Sequence, residues 1–234
     1  MTSTTEAQAQ PVLRSSSVAP LLQGTLFLGM TAIILLAFFV LPSAQGLGAL
    51  TPILYFHVPM AWNGIVGLMV AAAYSGMYLK RRDLDWDVKA ESASELGLLF
   101  SVIALATGSL WARGAWNAWW NWDPKQTLYL VMILIQGAYF ALRSSVEEPR
   151  KRAALSGTYA LFAVLTIPLL SMALPFYLGH NDMSAHPTSA MDRKMDGRMG
   201  ALLLASTMAF SGIYFWVFRL RLAVGRRDLR KCGY

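Results

Sequence analysis

The sequence predicts an all-α fold: a polytopic membrane protein whose core is a six-transmembrane-helix bundle. Of the 234 residues, 56% are hydrophobic and only 14% are charged, whereas soluble domains carry about 25% charged residues. The apolar residues fall in six runs, each long enough to cross a hydrocarbon layer about 30 Å thick. The predicted spans are residues 21–41, 58–79, 95–112, 126–142, 154–178 and 199–219.

Both ends of the chain differ from the apolar core. Residues 1–19 are polar and contain a proline, which is typical of a disordered tail. The first apolar run is too long for a removable signal peptide and has no clear cleavage site. We therefore expect a six-helix domain over 20–222, followed by a basic cytoplasmic tail over 223–234. Pro168 and Pro175 interrupt the fifth span, and neighbouring helices can bind the backbone groups that they free.

The distribution of basic residues predicts that both termini are cytoplasmic (N-in/C-in). The net charge is +7, but it clusters at the ends of apolar runs, which indicates membrane orientation and no nucleic-acid partner. The basic residues on the predicted inner side are Arg14, Lys80, Arg81, Arg82, Lys89, Arg143, Arg150, Lys151, Arg152, Arg219, Arg221, Arg226, Arg227, Arg230 and Lys231. Those on the outer side are fewer: Arg113, Lys125, Arg193, Lys194 and Arg198.

The predicted outer face carries a tryptophan-rich loop, residues 111–127, with the sequence WARGAWNAWWNWDPKQT. Five of the eight tryptophans of the chain lie there: Trp111, Trp116, Trp119, Trp120 and Trp122. In a helical turn, Trp116, Trp119 and Trp120 would share one face. An aromatic belt at the membrane surface needs only one or two such rings per helix end. The density favours a platform for a large, planar, apolar ligand.

Asp123 is the residue of this loop that most resembles a catalytic acid, but the residues around it are typical of a helix start. Asp at the N-cap, Pro124 at the first helical position and Gln126 two positions later, as in a capping box, begin the fourth span. Asp123 also has no obvious partner for general acid catalysis. We expect no catalytic residues and no enzymatic activity.

The three histidines lie on or beside the same predicted face. His57 is at the start of the second span, and His180 and His186 are in the loop 179–198. The last two could together bind a metal ion, but no carboxylate or thiolate pattern completes a zinc site. Imidazole at a membrane edge is also a natural axial ligand for haem iron. The single cysteine, Cys232, excludes a disulfide and a C-x-x-C-H haem attachment site within the chain.

Four cations of the outer face could pair with carboxylates of a ligand such as haem propionates, or equally with lipid phosphate. They are Arg113, Lys125, Arg193 and Arg198.

Two sequence segments resemble a known family. W-N-A-W-W-N-W-D-P-K-Q-T, from Trp116, is similar to the WWD motif of haem-handling proteins of cytochrome c assembly. L-Y-F-H-V-P-M-A over 54–61 resembles the histidine segment that opens the second span of the CcmC family, the haem exporter protein C. Six spans with this order of motifs resemble CcmC more than its larger relatives CcmF and CcsA. Asn117 departs from the pattern, since the family usually has glycine there.

The resemblance implies a function of haem binding and delivery. Haem b would be held non-covalently and transiently at the outer face, over Trp116, Trp119, Trp120, Trp122 and Asp123, by two axial histidines. His57 is the first ligand, and His186 is preferred over His180 as the second. The implied partners are the haem chaperone CcmE, the ABC transporter subunits CcmA and CcmB, the small subunit CcmD and membrane lipid. The implied location is the bacterial inner membrane, with the haem site on its periplasmic face.

Two other functions remain as alternatives. A b-type haem electron-transfer membrane anchor would need histidines within its spans, often paired, and no predicted span has a mid-membrane histidine. A permease would need charges within the membrane. The predicted spans carry almost none, and only Glu95 comes close.

Overall fold

The computed structural model describes residues 18–43, 48–174, 177 and 196–233, and this part of the chain is a helical bundle without strands. Its helices are α1 (Val18–Leu35, continued by the π-helical turn Leu36–Val40), α2 (Thr51–Arg81, preceded by the 3₁₀ turn Gly48–Leu50), α3 (Leu84–Trp116), α4 (Pro124–Ser144), α5 (Pro149–Pro168, continued by the π-helical turn Leu169–Ala173) and α6 (Gly197–Lys231). The predicted all-α fold class is therefore confirmed. All but the last two residues of the predicted tail 1–19 lie outside the described ranges.

Five of these helices are long and apolar enough to cross a membrane: α1, α2, α3, α4 and α6. The fifth predicted span, 154–178, corresponds to α5 and the turn after it, and α5 falls short of that criterion. Its first turn carries Arg150, Lys151 and Arg152, which lower its mean hydropathy. The chain is a multi-pass membrane protein.

Several helices extend well beyond the predicted spans. The second predicted span begins at residue 58, but α2 begins at Thr51, with Pro52 in its first turn. The third begins at 95, but α3 begins at Leu84, because the Asp83 side chain caps it by accepting from the Asp85 amide at 2.9 Å. α2, α3 and α6 contain 31, 33 and 35 residues. At 1.5 Å per residue each is about 45 Å long or more, and therefore exceeds the hydrocarbon core of a bilayer.

Helices α2 and α3 pack against each other in antiparallel fashion through small residues. A Cβ on Gly64 of α2 would lie 3.0 Å from the Ser101 amide nitrogen, and one on Gly97 of α3 would lie 3.0 Å from the Leu68 amide nitrogen. Such close backbone approach is typical of helix pairs in membranes, where small residues let helices touch. Side chains of α2 and α3 are thereby held in a fixed register.

The bundle has two chemically different ends. Tyr78, near the end of α2, donates to the Arg150 carbonyl at the start of α5 (3.0 Å), and Tyr55, near the start of α2, packs with Leu202 near the start of α6. One end of the bundle therefore contains the start of α2, α4 and α6 and the end of α3. We call it the Trp-loop end. The other is the charged end.

The charged end contains a buried ion-pair network around Arg143 of α4. The Arg143 side chain is 4% exposed and donates to both carboxylate oxygens of Asp87, at 2.7 and 3.0 Å. It also contacts Glu91 at 3.1 Å and donates to Ser156 of α5 at 2.8 Å. The network ties α3, α4 and α5 together.

Two further pairs join α3 to α6 at this end. Glu95 accepts from Arg221 at 2.5 and 2.8 Å, and Asp85 accepts from Arg226 at 2.6 and 2.9 Å. The predicted third span, 95–112, carries Glu95 as expected, and the other acidic residues of α3 lie before it, because the helix begins at Leu84. The side chains of these two pairs are about one third exposed.

Candidate functional site

His57 lies in the second turn of α2, with its ring against α3. Its Nδ1 is 2.9 Å from the Ala104 carbonyl oxygen and 3.1 Å from the Thr107 hydroxyl. The Thr107 hydroxyl itself donates within α3, and a carbonyl can only accept, so we assign the ring proton to Nδ1. Nε2 then carries a lone pair, and a backbone acceptor on the other nitrogen is the usual way in which a metal-binding imidazole is oriented.

The close approach of α3 to His57 depends on Gly108. A Cβ at this position would lie 2.9 Å from His57 Cε1. One helical turn and a half further on, a Cβ at Gly114 would lie 2.5 Å from Leu50 Cδ2. The absence of a side chain at these two positions lets His57 and Leu50 approach α3 closely.

The turn that carries His57 is also stabilised by α6. Pro59 has no amide hydrogen, so the Tyr55 carbonyl, four residues before it, loses its helical donor. The Ser206 hydroxyl of α6 donates to that carbonyl. In addition, the side-chain amide of Asn63 donates to the Pro59 carbonyl at 2.9 Å. The position of His57 is thus fixed by α3 on one side and by α6 on the other.

α3 ends within the tryptophan-rich segment. Trp111 and Trp116 are in its last two turns, and their rings make an edge-to-face contact with centroids 4.9 Å apart. Asn117 follows in the left-handed conformation, with φ 57°. Arg113 donates to the Asn117 carbonyl at 2.6 Å and to its side-chain oxygen. Arg113 thus binds the end of its own helix.

The predicted common helical face of Trp116, Trp119 and Trp120 does not form. Residues 117–123 are not helical, because the left-handed Asn117 ends α3. Trp120 instead contacts Trp122 edge to face, with ring centroids 5.9 Å apart. Trp119 and Trp122 are 58% and 74% exposed. The loop therefore presents its aromatic surface outward.

Asp123 caps α4, as predicted. Its carboxylate accepts from the amides of Lys125 (3.0 Å) and Gln126 (3.3 Å), and the residue is 4% exposed. The capping-box prediction for Gln126 is wrong, since the Asp123 amide donates to the Asn121 side chain at 3.1 Å instead.

Gln126 makes side-chain hydrogen bonds that the sequence did not predict. Its amide donates to the Ser109 hydroxyl of α3 at 3.1 Å and to the Trp119 carbonyl at 3.2 Å. It therefore links α4, α3 and the loop. Among the described residues, its own carbonyl oxygen and the Thr127 hydroxyl are buried without a hydrogen-bond partner.

The structure brings some of the predicted site residues together and leaves others undescribed. Lys125 is close enough to His57 to act on its ring electrostatically, and Asp123 acts on Lys125 in the same way. His180, His186 and Arg193 lie outside the described residues. Arg198, at the start of α6, pairs with Asp196 at 2.7 Å, and this guanidinium holds the pKa of Asp196 below its usual value.

Fold and site together define a class: a multi-pass helical membrane protein with a histidine and an exposed tryptophan loop at one end of its bundle. Comparison with known proteins identifies the family. The family described as "Heme exporter protein C" (CcmC) matches residues 3–232, and the chain belongs to this family.

Individual relatives agree with this assignment. The chain is similar to the heme exporter protein C of Paracoccus denitrificans, with 30% identity over 82% of the chain and 79% of the relative. The Rhodobacter capsulatus protein of the same name is 35% identical over a shorter stretch, which spans about half of each chain (55%). The protein of that name from Escherichia coli K12 is 29% identical over 67% of the chain and 66% of the relative.

Proposed function

We propose that this chain binds haem at the Trp-loop end and hands it on during cytochrome c maturation. Haem is the cargo of this protein and would be held non-covalently, so that it can be released. The proposal rests on membership of the CcmC family together with the chemistry of the described site. It involves binding and transfer, with no catalytic step on this chain.

The orientation of His57 is the observation that carries the proposal. Its Nδ1 donates to the Ala104 carbonyl, which leaves Nε2 unprotonated and able to coordinate haem iron. Among the described helices His57 is the one histidine, and it lies two turns from the start of α2. This position suits a haem at the membrane edge. It does not suit a b-type electron-transfer anchor, which needs histidine ligands deeper in the membrane.

The loop supplies the other features that a porphyrin needs. The exposed rings of Trp119 and Trp122 offer apolar surface for the flat macrocycle. Lys125, whose charge already acts on His57, is placed to pair with a propionate carboxylate. Arg113, which also binds Asn117, is the second cation of the loop proposed for that contact.

We propose His186, with His180 as the alternative, as the second axial ligand. Both lie between α5 and α6, and the described ends of that segment support the assignment. α5 begins at the charged end and runs back toward the start of α2, and α6 begins at the Trp-loop end. The described part of α5 thus runs toward the end of the bundle that contains His57, and α6 begins there, which supports both candidates equally.

We further propose that haem b passes from this site to the chaperone CcmE, with the ABC transporter subunits CcmA and CcmB and the small subunit CcmD as partners. The side of the membrane follows from the distribution of basic residues, which supports a periplasmic Trp-loop end in a bacterial inner membrane.

Visible absorption spectra of the purified full-length protein, expressed with ample haem, test the proposal. The wild type should show a Soret band typical of haem with two imidazole ligands. His57→Ala should lose most of the bound haem, since one of the two iron ligands is removed. His186→Ala should have a similar effect, and His180→Ala should leave the spectrum unchanged.

Exposed tryptophans provide matched controls for the platform. Trp122→Ala should weaken haem binding, while Trp62→Ala, which removes a 47% exposed ring of α2 outside the loop, should not. A wild-type protein without bound haem, or a His57→Ala variant that retains the full spectrum, would refute the proposal. Loss of haem in His180→Ala but not in His186→Ala would reverse the assignment of the second ligand.

A further inference from the structure

The last third of α6 carries a basic groove that the proposed haem site does not use. Six residues line it, with a volume of about 230 Å³: Arg219, Leu222, Ala223, Arg226, Arg227 and Arg230. The arginines are seven, eight and eleven positions after Arg219, so a helix of 3.6 residues per turn places all four on one side. This groove lies at the charged end, opposite the tryptophan loop.

The charge of the groove is only partly compensated. Arg226 is fixed by its two hydrogen bonds to Asp85 at 2.6 and 2.9 Å. The Arg219 guanidinium lies 5.9 Å from the centroid of the Phe215 ring. No carboxylate is among the residues that line the groove, and the nearby Asp228 pairs with Lys231 at 3.7 Å. Arg227 and Arg230 are exposed and add two positive charges.

The position of the groove along α6 indicates which anion it meets. The helix has 35 residues, or about 52 Å, against about 30 Å of hydrocarbon. The groove begins at Arg219, directly after the apolar part of the helix, and therefore starts at the level of the lipid headgroups. Beside the arginines, Leu220 and Val224 are 48% and 49% exposed. Cationic and apolar side chains thus stand next to each other at the depth where phosphate and acyl chain meet.

We propose that this basic groove binds the phosphate headgroup of an anionic phospholipid. Planar guanidinium groups match phosphate oxygens with pairs of hydrogen bonds, and Arg226 is already held in place by Asp85. The adjacent leucine and valine would contact the acyl chains. Because Arg226 also connects α6 to α3, a bound lipid would stabilise the contact between these two helices at the charged end. The proposal is independent of haem binding.

Native mass spectrometry of the full-length protein with added lipid tests this site. The double variant Arg227→Gln/Arg230→Gln should retain phosphatidylglycerol roughly 10- to 30-fold less well than the wild type, since each basic residue at an anionic surface contributes about fivefold. Retention of phosphatidylcholine should not change. The matched control is Lys80→Gln/Lys151→Gln, which removes two exposed charges from the same end of the bundle but outside the groove.

A second variant tests whether a loss of binding comes from the lost charge or from a change in the fold. Arg227→Lys/Arg230→Lys keeps both charges but not the paired hydrogen bonds of guanidinium, and should retain phosphatidylglycerol better than the Gln variant and less well than the wild type. Equal loss in the control pair would mean that only total charge matters, and the proposal would be wrong. It would also be wrong if millimolar inorganic phosphate fully displaced the lipid, which would identify a site for free phosphate, or if the Gln variant lost a co-purifying protein and no lipid.

Discussion

At the scale of single residues, two unusual backbone conformations lie within the tryptophan loop. Asn117 and Trp122 have φ values of 57° and 60°. Asparagine is the residue that replaces glycine most readily in this left-handed region, so Asn117 ends α3 as the glycine expected from the family resemblance would. For a bulky residue such as Trp122 the conformation costs about 1 kcal/mol or more. Its side chain is 74% exposed, so burial does not explain a tryptophan at this position, and the proposed contact with haem would.

Gly108→Ala should move the His57 ring and weaken haem binding about tenfold, the lower range for changes in the groups that orient a metal ligand. The reason is steric, since the added Cβ would lie 2.9 Å from His57 Cε1. A haem titration followed in the Soret band measures the effect.

The matched control for this experiment is Gly137→Ala. A Cβ at Gly137, in the middle of α4, meets nothing within 4 Å. Both substitutions raise helix propensity by about 1 kcal/mol, so neither should destabilise the fold through the backbone alone. Equal haem affinity in the two variants would show that the contact between Gly108 and His57 does not position the iron ligand.

At the scale of elements, α2 tolerates a proline beside its histidine because α6 replaces the lost hydrogen bond. The Ser206 hydroxyl donates to the Tyr55 carbonyl. We expect Ser206→Ala to destabilise the protein by about 1–3 kcal/mol, the cost of an unpaired buried polar group, and to weaken haem binding through displacement of His57. Thermal unfolding and the haem titration measure both effects.

A double-mutant cycle isolates the cause. Pro59→Ala restores an amide that can bind the Tyr55 carbonyl, so Ser206→Ala should cost little in the Pro59→Ala background. If the two substitutions are additive in free energy, Ser206 contributes through packing alone and the compensation inferred for Pro59 does not exist.

The helices of the bundle could be predicted from the sequence better than their ends could. Apolar runs locate the part of each helix in the membrane, but α2 begins seven residues before its predicted span, with Pro52 in its first turn, and α3 includes the polar segment that follows Asp83. The predicted N-cap Asp123 is confirmed, since capping is a local interaction. The prediction that Trp116, Trp119 and Trp120 share a helical face is wrong. A spacing of three and four residues places side chains on one face only where the chain is helical, and Asn117 ends α3.

At the scale of the whole molecule, the sequence could predict a two-ended bundle but not what holds its charged end. Antiparallel helices joined by short loops place His57 and the tryptophan loop at one end, as expected. Arg143 was interpreted as a loop cation that orients the chain, yet it is 4% exposed and paired with Asp87. Charge patterns along the chain do not reveal this pairing, because its partners are 56 residues apart and meet only after α3 and α4 pack.

The Arg143 network should contribute to stability without affecting the haem site. Arg143→Leu leaves the buried Asp87 carboxylate, 8% exposed, without its partner, and we expect a loss of about 3–5 kcal/mol in the free energy of unfolding. Asp87→Leu/Arg143→Leu removes both charges and should cost less. Arg150→Leu, at an exposed position of the same end, should change stability by less than about 0.5 kcal/mol.

Haem affinity of the folded variants should match the wild type, since Asp87 and Thr107 are about 30 Å apart along α3. A single variant no less stable than the double one would show that Asp87 needs no partner, and a drop in haem affinity would show that the two ends of the bundle are coupled.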